Sequence, residues 1–188
     1  ILKPMSTGAP DRTALLSTVR PLCPDVAPEI LDDFFSRMDP EYFRRFEPPV
    51  IAAHIRSTAQ LTPERPCAMA FAEQQDTRFE VTIVAYDYFS EFATICGLLS
   101  AFGLNIEEGD IYTFGETAAA PPARTSWAGY GPRVRTPGSP GRTRKKIVDV
   151  FRVLPVPGVE LDDIQQKHLT DALLSVLTLL DKGQFTEA

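Results

Sequence analysis

The chain has 188 residues, a length that suits one domain or slightly more. Apolar residues make up 44% and charged residues 23%, a balance that can build a buried core and excludes a wholly disordered chain. The net charge of −6 argues against nucleic acid or an anionic membrane as the main partner, and leaves a small ligand or another protein.

No apolar run approaches the roughly 20 residues of a membrane-spanning helix, so no membrane partner is expected. Cys23, Cys67 and Cys96 are odd in number and widely spaced, and only His54 and His168 could assist them. Neither a disulfide framework nor a metal site is indicated, no cofactor is expected, and a reducing cytoplasm is the default location. The start, Ile1-Leu2-Lys3-Pro4, has no initiator Met and no signal-peptide pattern, and reads as a piece of a longer chain.

Residues 1–12 carry two prolines and a glycine without periodicity and read as a mobile tail. A helical subdomain follows over 13–62. A short helix over Thr13–Leu22 ends at Pro21 and Pro24, and a second starts at Pro28 with Ile30, Leu31, Phe34, Phe35 and Met38 on one face. Asp39 is placed to cap a third helix from Pro40, with Tyr42, Phe43 and Phe46 inward. Pro48-Pro49 separates it from a fourth, over Val50–Leu61, whose apolar face includes His54. The aromatic density of this subdomain requires something to pack against.

From residue 67 the period becomes two. Ala68–Phe71 and the β-branched Phe79–Tyr86 read as strands able to pair as a hairpin across a turn at 74–77. A helix over Glu91–Phe102, capped by Asp87 or Ser90, presents Phe92, Ile95, Leu98, Leu99 and Phe102, and Gly103 can close it at positive φ. Ile106–Phe114 returns as a strand. Residues 118–144 are rich in Gly, Pro, Ser and Ala and read as a flexible basic insertion within a domain spanning 67–188. A strand over Lys145–Leu154 and a helix over Leu161–Lys182, opened by Asp162 and Asp163, complete the order.

Strand, helix, strand, strand, helix from Phe79 is the order of a ferredoxin-like α+β unit without its last strand. The expected architecture is an antiparallel sheet with helices on one face, the other face or an edge being left for a partner. The closing strand either follows the given residues or is replaced at the edge by Ala68–Phe71.

The stretch Val81–Ile95, followed by Leu98-Leu99-Ser100-Ala101-Phe102-Gly103-Leu104-Asn105-Ile106, resembles the signature of ACT domains. Asp149-Val150-Phe151-Arg152-Val153 is similar to a strand common in the ACT domains of PII-protein uridylyltransferases. Met38–Phe46 and Tyr86–Phe102 resemble parts of the bacterial nitrogen-control nucleotidyltransferases, the uridylyltransferases and glutamine-synthetase adenylyltransferases. The family's turn Pro and Gly are Phe89 and Ser90 here.

The resemblance implies a regulatory module that binds an amino acid, glutamine among the candidates, between two turns and often across a homodimer, beside the other domains of a larger enzyme. Carried over, Asp87, Tyr88, Phe89, Ser90 and Glu91 form one turn and Gly103, Leu104 and Asn105 the other. A helix N-terminus offers free N–H groups to a ligand carboxylate, and Asp87 could hold its ammonium. Capping alone is also a sufficient reason for Asp87 or Ser90, being worth about 1 kcal/mol.

No catalytic residue is indicated: there is no Gly-Ser with paired aspartates, Walker loop, Gly-x-Ser-x-Gly or Cys-x-x-Cys. Arg124, Arg133, Arg135, Arg142, Arg144, Lys145 and Lys146, interleaved with Trp127 and Tyr130, suit nucleic acid superficially, but a solvated loop accounts for them as well. Three functions therefore stand in order: an amino-acid-sensing module, a dimerisation or docking scaffold, and a nucleic-acid contact.

Overall fold

The computed structural model describes residues 11–88, 91–115 and 145–181. Among these residues four helices come first. Asp11 Oδ1 accepts the Thr13 and Ala14 N–H groups at 3.0 and 3.3 Å and so caps α1 (Arg12–Val19), which a 3-10 turn over Arg20–Leu22 extends. Asp11 and Arg12, read above with the tail, thus belong to the helical region, and Arg12 donates to the Phe35 and Met38 carbonyls. Pro28 opens α2 (Pro28–Arg37), as its fixed φ and missing N–H favour.

Two details differ from expectation. Asp39 Oδ1 accepts the Glu41 N–H at 2.7 Å, and the helix beyond it, α3 (Tyr42–Arg45), is a single turn that does not include Pro40. Pro48-Pro49 does not separate helices but forms the first turn of α4 (Pro48–Ala59), where neither proline removes an intrahelical bond.

The other described residues form a four-stranded antiparallel sheet with two helices. The elements are β1 (Cys67–Glu73), β2 (Phe79–Tyr86), α5 (Glu91–Ala101), β3 (Leu104–Thr113), β4 (Lys146–Pro155) and α6 (Asp163–Asp181). The strand order is β1-β2-β4-β3. β1 and β2 form a hairpin from Cys67↔Ala85 to Glu73↔Phe79, and its tight turn puts Asp76 and Thr77 at positive φ. β1 therefore fills the edge position beside β2, the second of the two expected sources for that strand.

β3 carries a bulge between Ile106 and Glu108. Ile106 pairs with Val153 and Ile111 with Asp149, so both lie on one face although they are an odd number of residues apart.

Alternation along β2 and β4 divides the core in two. Val81, Ile83 and Ala85 with Ile147, Phe151 and Val153 pack against Ile95 and Leu99 of α5 and Leu169, Leu173 and Leu177 of α6. Val84, Val148 and Val150, with Phe114, pack against the aromatic faces of α2 and α3 and against Ile51, Ala52 and Ile55 of α4. Helices thus cover both faces of the sheet. α5 and α6 lie together on one face, as expected; the second face, expected to be left for a partner, is taken by the aromatic residues of 28–55, which find there the surface they need to pack against. Phe34, fully buried, meets Phe114 edge-on at 5.2 Å and Tyr42 at 5.5 Å.

Arg37 ties the layers together. Its Nε donates to the Gly115 carbonyl at 2.9 Å, its own carbonyl accepts the Gly115 N–H at 2.9 Å, and its guanidinium lies over the Phe114 ring. The last described residue before 116 is therefore held to α2 on both sides of its peptide unit.

His54 lies inside this core, 4% exposed, with Nδ1 2.7 Å from the Tyr42 hydroxyl. Burial lowers its pKa to about 4. The unfolded chain, with an ordinary histidine near 6.5, takes up the proton first as pH falls. Stability from this residue is therefore complete above about pH 6.5 and is lost as pH falls toward 4, by about 2–3 kcal/mol at pH 4.5. Urea titrations of His54→Gln and the parent at pH 7.5 and 4.5 should show a loss on acidification that is smaller in the variant by that amount.

Candidate functional site

Asp87 follows directly on β2, and its N–H donates to the Lys145 carbonyl at 2.9 Å. The chain that returns at residue 145 is thus hydrogen-bonded to the end of β2. Three residues before α5 begins, the Tyr88 N–H donates to Glu91 Oε2, so the first residue of the helix reaches back to the end of the preceding turn. Tyr88 packs partly buried against the α5–α6 core. The structure therefore brings Asp87, Tyr88 and Glu91 together at the N-terminal end of α5. Phe89 and Ser90, expected in the same turn, lie outside the described residues, as does the basic segment 118–144.

A residue with no assigned role completes this group. Asp149, in the middle of β4, is 1% exposed and points to the α5 side of the sheet between Ile147 and Phe151. Its Oδ1 has no hydrogen-bond partner among the described residues. Burial, opposed by the Tyr112 backbone N–H and reinforced by Asp87, raises its carboxyl to about 7. Burial likewise raises Glu91, 8% exposed, to about 8; the Tyr88 N–H opposes this, and Asp87 and Asp149 add to it. A helix N-terminus and a backbone donor both favour the anion, but here burial among other carboxylates outweighs them. Burial also raises the Cys96 thiol, with Asp149 adding to the effect.

A signal for Asp149 exists in the sequence. In Ile147-Val148-Asp149-Val150-Phe151, a period of two puts the carboxylate on the same face as Ile147 and Phe151, an unusual place for an acid.

The second expected turn is elsewhere. Gly103 closes α5 at φ +72°, with its N–H on the Ser100 carbonyl and its carbonyl accepting the Val156 N–H. Leu104 and Asn105 are not turn residues but the first residues of β3, paired with Pro155 and Leu154; Leu104 is buried and Asn105 exposed. The two halves of the expected ligand site stand at opposite ends of α5, whose 11 residues span roughly 16 Å. Within one chain they do not converge.

Gly103 does line a cleft of about 620 Å3, with Phe102, Val159, Glu160, Asp162 and Gln165. Asp162 Oδ1 accepts the Gln165 N–H at 2.8 Å, so it serves as the cap of α6. Among the described residues no three His, Cys, Asp or Glu side chains are grouped so as to hold a metal ion, and no helix is long and apolar enough to cross a membrane.

Comparison with models of known protein families yields no match, and comparison with curated proteins yields none either. The chemistry of the site therefore rests on its own geometry: three carboxyl groups, two of them buried, beneath the first turn of α5.

At the other end of the helix, an added Cβ at Gly103 would lie 2.9 Å from Val159 Cγ2 and 3.2 Å from Val156 Cγ2, besides the unfavourable φ. Gly103→Ala should cost about 1–3 kcal/mol in urea unfolding. An unchanged midpoint would show that this helix end relaxes freely.

Proposed function

We propose that the chain is a non-catalytic regulatory module of ACT-like, ferredoxin-like architecture, one that senses an amino acid for a larger enzyme of nitrogen metabolism. The observation that carries this reading is the path β2–α5–β3, which crosses over and places β3 parallel to β2 with β4 between them, followed by α6 on the same face. The N-terminal β1 takes the edge place that a strand after α6 would take, so the unit is closed by rearrangement.

Asp87, half-buried at the end of β2, supplies a carboxylate for a ligand ammonium, and the start of α5 supplies N–H groups and a positive dipole end for its carboxylate. Because the Gly103 turn is at the far end of α5, a ligand touching both turns would bridge two copies of the chain. The attached catalytic domain, of nucleotidyltransferase type, and a cytoplasmic setting belong to the same proposal.

Calorimetric titration with a panel of amino acids, glutamine included, tests it. At least one should bind and raise the melting temperature, and Asp87→Asn should weaken that ligand tenfold or more. No heat and no thermal shift with any of them would remove the sensing role.

A second reading, docking without a ligand, draws on Phe92 and Ile111, 51% and 44% exposed beside the outer strand β3. Sedimentation separates the two readings: a concentration-dependent dimer weakened by Ile111→Lys and indifferent to amino acids supports docking, and a monomer at high concentration rejects it.

A further inference from the structure

We propose that Asp87, Glu91 and Asp149 form a proton-operated latch, which seats the first turn of α5 on β4 while the buried carboxyls hold protons and releases that turn when the protons leave. This stands independently of the amino-acid reading, since a proton is the only ligand it requires.

Asp149 is fixed in a central strand, paired on one side with Ile83 and on the other with Ile111, so it cannot move to solvent without breaking the sheet. Its Oδ1 lacks a hydrogen-bond partner among the described residues, so as an anion it would be a buried charge with half of its acceptors unmet there. Glu91 belongs to a helix end and can move.

Among the described residues, the groups acting on these two carboxyls come from the β2–α5 turn, β3 and the two acids themselves. They are Asp87 and the Tyr88 N–H from the β2–α5 turn, and the Tyr112 N–H from β3; Asp149 in turn acts on Cys96 of α5. Among the described residues no basic side chain is among those groups; the Lys145 carbonyl accepts the Asp87 N–H. The near-complete burial of Glu91 and Asp149 leaves space for a proton more readily than for a larger cation, and no metal-sized grouping is present among the described residues.

The helix has a built-in soft point. Gly97, in the middle of α5, has open space around it: an added Cβ would meet nothing within 4 Å. Packing does not require glycine there, and it weakens the helix between the Glu91 turn and the Leu99 anchor.

The sign follows from the two carboxyls. Both hold their protons to higher pH in the folded chain than in the unfolded one, so the stability they lend is complete below about pH 4 and is lost as pH rises through about 7 and 8.

Site-resolved amide exchange on the full chain at pH 6 and 9, corrected for intrinsic exchange, tests the latch. Protection of Ala93–Cys96 should fall at least tenfold toward pH 9 while β4 stays protected. In the variant carrying Glu91→Gln and Asp149→Asn it should stay constant. Glu91→Gln alone, which keeps an acceptor for the Tyr88 N–H, should at least halve the fall on a logarithmic scale and serves if the double variant does not fold. Gly97→Ala should raise protection at both pH values. Constant protection in the parent chain, an equal fall in the Glu91→Gln variant, or carboxyl 13C titration of both acids below pH 5 would overturn the proposal.

Discussion

β4 is buried on both of its faces, and the rest of the structure follows from that constraint. From Ile147 to Phe151 five consecutive side chains are buried, and Val153 extends the run. A strand of this kind cannot stand at an edge or face water, so it needs a strand on each side and helices above and below. β2 and β3 supply the first, α5 and α6 cover the odd-numbered side chains, and α2–α4 cover the even-numbered ones. The aromatic residues of the N-terminal helices are the counterpart of Val148 and Val150, which explains their number.

The same constraint accounts for the unusual chemistry at the start of α5. A carboxylate at an exposed helix N-terminus is ordinarily stabilised by the dipole and by backbone donors. Glu91 has both, but lies over Asp149, which β4 holds on the covered face. Local structure favours the charge and tertiary structure opposes it. Burial prevails because desolvation acts on the whole ion, whereas the backbone at Tyr88 offers one donor.

Much of this was legible in the sequence, and the limits have physical causes. The strands and the long helices follow from side-chain periodicity, because each of them buries one continuous face. Gly103 was legible because positive φ leaves few alternatives to glycine. The Pro48-Pro49 pair reads equally as a break or as a first turn, because proline is at home just after one helix and just inside the next. Asn105 has the composition of a turn residue but lies in a strand, because β3 begins immediately after Gly103, without an intervening loop. The edge position of β1 is a long-range choice that local pattern leaves open. For Asp149 the pattern shows an acid on an apolar face, but what covers that face follows only from the register of β4 between β2 and β3.

The edge strand also bears on how the chain reaches this structure. Since β1 precedes β2 and joins it through a tight turn, the first pairing of the sheet is local, with a small loss of chain entropy on closure. β4 is different: its pairings with β2 and β3 each close across the chain between Thr113 and Lys146 or more. Loop entropy grows slowly with length, about 0.6 kcal/mol for each doubling, so a long connection is tolerated at equilibrium while it delays encounter. The strand that carries the buried acid is thus the one whose docking has the highest entropic barrier. Changes in the length of that connection should therefore be felt more in the folding rate than in the final stability.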